Sequence, residues 1–123
     1  MRTLVIAGAL TAAVGVAFGA FGAHALKAKL DPQMLTVWQT AVQYHLVHAL
    51  GMLGVALAAM HWPSGMLTTA GWTMFAGVLL FSGSLYLLAL TGTRWLGAIT
   101  PLGGAAFIAG WLLLAVAVWR SSQ

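Results

Sequence analysis

The charges of this chain stand only at the ends of long apolar runs. Arg2 opens the first run and Lys27, Lys29 and Asp31 close it; Arg94 and Arg120 bracket the last. A bilayer core about 30 Å thick is crossed by roughly 20 apolar residues rising 1.5 Å each. Four crossings use about 80 residues and leave only short connections in a chain of this size. Of its 123 residues, 62% are hydrophobic and 5% charged. The mean hydropathy of +0.98 lies well outside the balance of a soluble domain. The chain therefore reads as an all-α integral membrane protein forming a single domain over 1–123. Its four transmembrane helices are expected in an antiparallel bundle, with spans at about 3–25, 38–60, 66–90 and 96–119.

The formal charge of +4 is scattered rather than gathered into a patch, so no nucleic-acid surface is expected. The basic residues nearly balance between the two sides and set no orientation. With no cysteine there is neither disulfide nor thiolate metal site. The first run, ending in Ala23-His24-Ala25, imitates a secretory signal peptide. It is long for a signal core and is expected to remain as a permanent helix.

Within that first span Gly8, Ala12, Gly15, Gly19 and Gly22 recur every three or four residues. They line one face that another helix can approach closely. Asp31-Pro32 reads as an N-cap followed by proline at the first helical position. Thr100-Pro101 repeats the arrangement, with a kink at Pro101 as the alternative. Trp38, Trp62, Trp95 and Trp119 fall near segment ends, where an amphipathic ring suits the headgroup level, whereas Trp72 and Trp111 read as packing residues. The short connection around His61 joins antiparallel neighbours.

The second span begins amphipathically, with Gln33, Thr36, Thr40 and Gln43 along one side, and an interfacial segment is expected before it crosses. It continues as VWQTAVQYHLVHALGML, residues 37–53. At 100° per residue His45 and His48 share one side with Tyr44 at its edge, while Gln39 and Gln43 point nearly opposite. Polar groups facing hydrocarbon are costly, so this helix is expected to be central, with protein or water on both sides. The candidate polar or ligand cluster is His24, Tyr44, His45, His48, Ser82, Ser84 and Tyr86. The leading role of the histidines is interhelical hydrogen bonding, to backbone carbonyls or to Ser82 and Ser84. The alternative is ligation of a haem, a metal or a quinone. His24 joins such a site only if the start of the second helix lies flat in the interface.

Four stretches then point to a family: GAFGAHAL at 19–26, YHLVHALG at 44–51, FSGSLYLLALTG at 81–92 and GAITPLGGAAFIAGW at 97–111. The chain resembles the domain-of-unknown-function 423 family of small bacterial inner-membrane proteins, which are similar to eukaryotic transmembrane protein 256. The resemblance implies a four-helix protein of the bacterial cytoplasmic membrane and brings no catalytic residues. Its motifs here include Gly22, His24, Tyr44, His45, His48, Gly51, Ser82, Gly83, Tyr86, Thr100, Pro101, Gly103 and Gly104.

With no intramembrane carboxylate and no cysteine, acid–base or nucleophilic catalysis is not expected. Neither a metal nor a cofactor is expected in the leading reading. That reading is a structural or accessory membrane component, surrounded by lipid and packing through glycine-rich faces into a homo-oligomer or a larger complex. A histidine ligand site and a small oligomeric channel or carrier past Gln39, Gln43 and Pro101 are the alternatives.

Overall fold

The computed structural model describes residues 1–121; Ser122 and Gln123, the end of the polar C-terminal tail, lie outside the described residues. Helix α1 spans Arg2–His24, α2 Pro32–His61, α3 Gly65–Gly77, α4 Gly83–Thr91 and α5 Thr100–Ser121. A π-helical turn, Val78–Ser82, joins α3 to α4 in one continuous rod. Short 3-10 turns at Leu26–Ala28 and Arg94–Ala98 complete the connections. Four helical segments, Arg2–Ala28, Pro32–His61, Gly65–Thr91 and Arg94–Ser121, are long and apolar enough to cross a membrane.

Local chemistry sets the ends. Asp31 Oδ1 accepts the backbone N–H of Met34 at 2.8 Å, with Pro32 at the first helical position, where its missing N–H costs nothing. Ser64 Oγ accepts from Met66 N at 3.1 Å and starts α3. Gly92 stops α4 at φ 69°, a left-handed conformation that suits glycine. Pro101 is the second residue of α5; it opens that helix and leaves nothing to kink. The expected fourth span accordingly divides into a 3-10 turn and a helix.

The pairing of glycines with side chains gives the direction of packing. Along α1, Gly8 lies against Met52 and Leu53, Gly15 against His45 and Leu46, Gly19 against Val42 and Gly22 against Trp38. Partner numbers fall as glycine numbers rise, so α1 and α2 are antiparallel. Likewise Gly110 meets Met74 and Ala70, Gly77 meets Phe107, and Gly103 meets Phe81. The small-residue face of the first span is thus consumed inside the chain, in the seam between α1 and α2.

Helix α2 and the α3–α4 rod form the middle of the bundle, with α1 laid mainly on α2 and α5 mainly on α3. At one end Leu4, Met52, Val55, Leu67, Met74 and Ala117 join all four spans in an apolar core. At the other, Leu26, Trp38, Ala41, Tyr86 and Ala89 form a second core. Trp38, expected at a headgroup, is instead 3% exposed. Its ring fills the space that Gly22 leaves, and its Nε1–H donates to the Phe18 carbonyl at 2.9 Å. Trp62, Trp95 and Trp119 are exposed.

Helix α2 is one uninterrupted helix of 30 residues, about 45 Å long at 1.5 Å per residue and so longer than the hydrocarbon is thick. Its amphipathic first turns belong to the same continuous helix as the crossing part. Between the two apolar cores lies a polar layer.

Candidate functional site

The polar layer is built on two adjacent turns of α2. His45 and His48 are both buried, at 4% exposure each. His45 Nε2 lies 2.8 Å from the carbonyl oxygen of Thr11 on α1. A carbonyl only accepts, so Nε2 carries the proton and Nδ1 holds a lone pair. That lone pair faces the Tyr86 hydroxyl of α4 at 2.8 Å, which therefore donates. Phe18 stands edge-on to Tyr86 with ring centroids 4.9 Å apart, and Trp38 closes the other side at 4.6 Å.

His48 has the opposite tautomer. Its Nδ1 lies 2.8 Å from the Tyr44 carbonyl one turn earlier, so the proton sits on Nδ1. Nε2 accepts from Trp111 Nε1–H of α5 at 2.9 Å. The imidazole stacks on Phe107 with centroids 3.5 Å apart and planes 9° from parallel. Tyr44 itself is largely exposed, packing on Phe81 and Phe107 at the rim.

The serines do not serve the histidines. Ser82 Oγ donates to the Ala41 carbonyl of α2 at 2.7 Å. Ser84 Oγ donates to the Phe81 carbonyl at 2.9 Å. Its remaining oxygen capacity takes the Thr100 hydroxyl of α5 at 2.6 Å. Of the partners expected for the histidines, backbone carbonyls are present at Thr11 and Tyr44 and the serines are not: tyrosine and tryptophan reach across the seams, while Ser82 and Ser84 each bond to a carbonyl of their own. Trp111, expected only to pack, is the polar partner of His48.

His45 turns towards α1 and α4 while His48 turns towards α5, so a one-face spacing does not bring them to one point. His24 lies exposed at the end of α1, at the level of the first turns of α2, since Gly22 already meets Trp38. Among the described residues no three His, Cys, Asp or Glu side chains stand close enough to share a metal ion. Every nitrogen of His45 and His48 is committed, and ligation of an iron or other metal by either ring would first break a bond to Tyr86 or Trp111. Gln39 and Gln43 are exposed on the far side of α2. Of the protein or water expected on both sides of this helix, the single chain supplies protein on the histidine side. Pro101 belongs to the start of α5, a helix that packs mainly on α3.

Two grooves open from this layer to the membrane side. One, of about 350 Å³, runs between α1 and the α3–π segment with Thr11 and His45 at its base and Ala7, Leu10, Phe75 and Leu79 along its walls. The other, of about 410 Å³, lies between α2 and α5 and is lined by Tyr44, His48, Phe81, Phe107 and Trp111. Thr11 had a legible sequence signal, falling between Gly8 and Gly15 on the helix face that approaches α2. Trp111 was legible only as a packing residue and Thr100 only as a helix cap.

Residues 18–104 match the family model described as "Protein of unknown function (DUF423)". The UPF0382 membrane protein YwdK of Bacillus subtilis is 53% identical over 118 residues, covering 95% of this chain and 96% of that protein. The UPF0382 membrane protein SH2409 of Staphylococcus haemolyticus is 47% identical over 126 residues, covering 98% of each. No solved structure matches. With four membrane-crossing helices and relatives of this kind over nearly its whole length, the chain belongs to the DUF423 (UPF0382) family and is a multi-pass protein of the bacterial cytoplasmic membrane.

Proposed function

We propose that this chain is a non-catalytic structural or accessory component of the membrane, a small rigid module on which other membrane protein packs. The observation that carries this reading is the saturation of its polar interior. Among the described residues, no buried side-chain nitrogen or oxygen lacks a hydrogen-bond partner. Both imidazoles spend both nitrogens, three of the four on neighbouring helices and one on the Tyr44 carbonyl of α2 itself. A general base or nucleophile needs a lone pair free to meet substrate, and the layer offers none without breaking a seam. We extend this reading to eukaryotic transmembrane protein 256, to which the family is similar.

The test is extraction of the wild-type chain in mild detergent with chemical crosslinking in the membrane beforehand. The expected result is a discrete higher-mass species, a homo-oligomer or a complex with another membrane protein. A bare monomer with no crosslinked partner overturns the reading.

The groove between α2 and α5 supports a second reading, in which a flat apolar ring such as a quinone lies against Phe107 and Trp111 at the bilayer side. Solvent extraction of the purified protein, with an absorption spectrum of the extract, checks it. Stoichiometric quinone that is lost on Trp111→Ala favours this reading; an extract containing only phospholipid removes it.

A further inference from the structure

We propose that the outward face of α2 is a self-association surface for a second copy of this chain, with Gln39 and Gln43 of one copy bonded to the same residues of the other. This deepens the accessory reading and rests on it. At 100° per residue, positions 39, 43, 47, 50, 54 and 57 share an arc of about 80°. That arc lies opposite the buried side holding Ala41, His45 and Met52. All six are exposed in the single chain. Among the described residues neither amide has a hydrogen-bond partner within the chain.

Their depth makes this matter. Gly22 lies against Trp38 and Gly19 against Val42, so Gln43 stands beside the apolar length of α1. It is roughly 7 Å along the helix from the level of Trp38 at 1.5 Å per residue. A carboxamide there has hydrocarbon around it and is stabilised by any group that both gives and accepts hydrogen bonds. Two copies inserted in the same sense are related by a two-fold axis along the membrane normal. Their α2 helices then run parallel, and a residue on the axis meets itself at the same depth. A carboxamide, donor and acceptor at once, is complementary to its own copy; an amine or a carboxylate is not. Below the amides Val47, Leu50 and Leu57 supply apolar contact. Gly54, beside which no atom of the chain lies within 4 Å of where a Cβ would stand, allows the two backbones to approach.

The native chain has no cysteine, so single-cysteine variants report position cleanly. Leu50→Cys on the proposed seam and Ile108→Cys, exposed on α5, are oxidised in native membranes, each with and without Gln43→Leu. The expected result is a disulfide-linked species of twice the chain mass for Leu50→Cys and none for Ile108→Cys. Gln43→Leu should cut the yield by about tenfold, equivalent to about 1.4 kcal/mol of association. Equal yields from both positions, or a Leu50→Cys yield unaffected by Gln43→Leu, overturn the proposal. A Leu50→Cys product of another mass overturns self-pairing and leaves the accessory reading standing. So does the absence of product while wild-type extracts still hold a crosslinked partner. No product together with a bare wild-type monomer removes both.

Discussion

The hydroxyl of Tyr86 lies 2.8 Å from Nδ1 of His45, and the proton between them belongs to the tyrosine because the far nitrogen of the ring donates to Thr11. One imidazole thereby joins α1, α2 and α4. In lipid there is no hydrophobic drive between helices, and such bonds carry a larger share of specificity than they do in water.

Removing the hydroxyl leaves Nδ1 without a donor in a site that admits little water. Tyr86→Phe is expected to lower stability by about 1 to 2 kcal/mol, read as unfolding in mixed micelles. His45→Leu with Tyr86→Phe should cost less than the sum of the two single changes, because each single change orphans the other partner. Strict additivity would mean that the bond contributes nothing.

The two histidines should differ in a way that spectroscopy sees directly. Nitrogen-15 spectra of selectively labelled protein are expected to show protonated Nε2 in His45 and protonated Nδ1 in His48. Trp111→Phe should move the Nε2 resonance of His48 and leave that of His45 in place. The same tautomer in both rings would contradict the bonding described.

Substitution of glycines should divide sharply by contact. A Cβ on Gly22 would stand 2.5 Å from Trp38 Cδ1, so Gly22→Ala is expected to cost about 1 to 3 kcal/mol through overpacking. Gly83 has nothing within 4 Å of the corresponding point, and Gly83→Ala should be neutral or stabilise by up to about 1 kcal/mol through helix propensity. Thermal unfolding of the pair in one detergent decides it, and equal effects would place the α1–α2 seam elsewhere.

Much of the architecture was legible because apolar length and charge placement are one-dimensional signals. The spans, the cap at Asp31-Pro32 and the close-packing face of Gly8, Gly15 and Gly22 follow from residue type and spacing alone. Trp38 was misread because the same amphipathic ring suits a headgroup or a helix seam, and only the hollow left by Gly22 distinguishes them. The side-chain partners of His45 and His48 were hidden for a different reason. Spacing on α2 says which way a ring leaves its own helix, but not which of several aromatic donors on other helices will meet it.

The π turn Val78–Ser82 left no mark in the sequence, and it offers a further test. A π turn holds one residue more than an α turn of the same span, so removing the exposed Leu79 should restore α-helical pitch. Because the residue removed is the surplus one, Ser82, Ser84 and Tyr86 should keep nearly the same directions about the rod. The expected result is a folded protein in which Tyr86→Phe still costs about 1 to 2 kcal/mol, because the hydroxyl still faces His45. Loss of the Tyr86→Phe penalty would show that the rod keeps its π turn after the deletion and turns Tyr86 away from His45.

The third rod therefore works as two rulers with different zero marks. Ahead of the extra residue its divisions are aligned to α5, where Gly77 and Gly110 mesh with Phe107 and Met74. Beyond it they are aligned to α2, where Ser82 and Tyr86 find Ala41 and His45. With the same number of residues a rod of uniform pitch would have to compromise between these two alignments, and the wide turn absorbs the surplus residue so that both are kept.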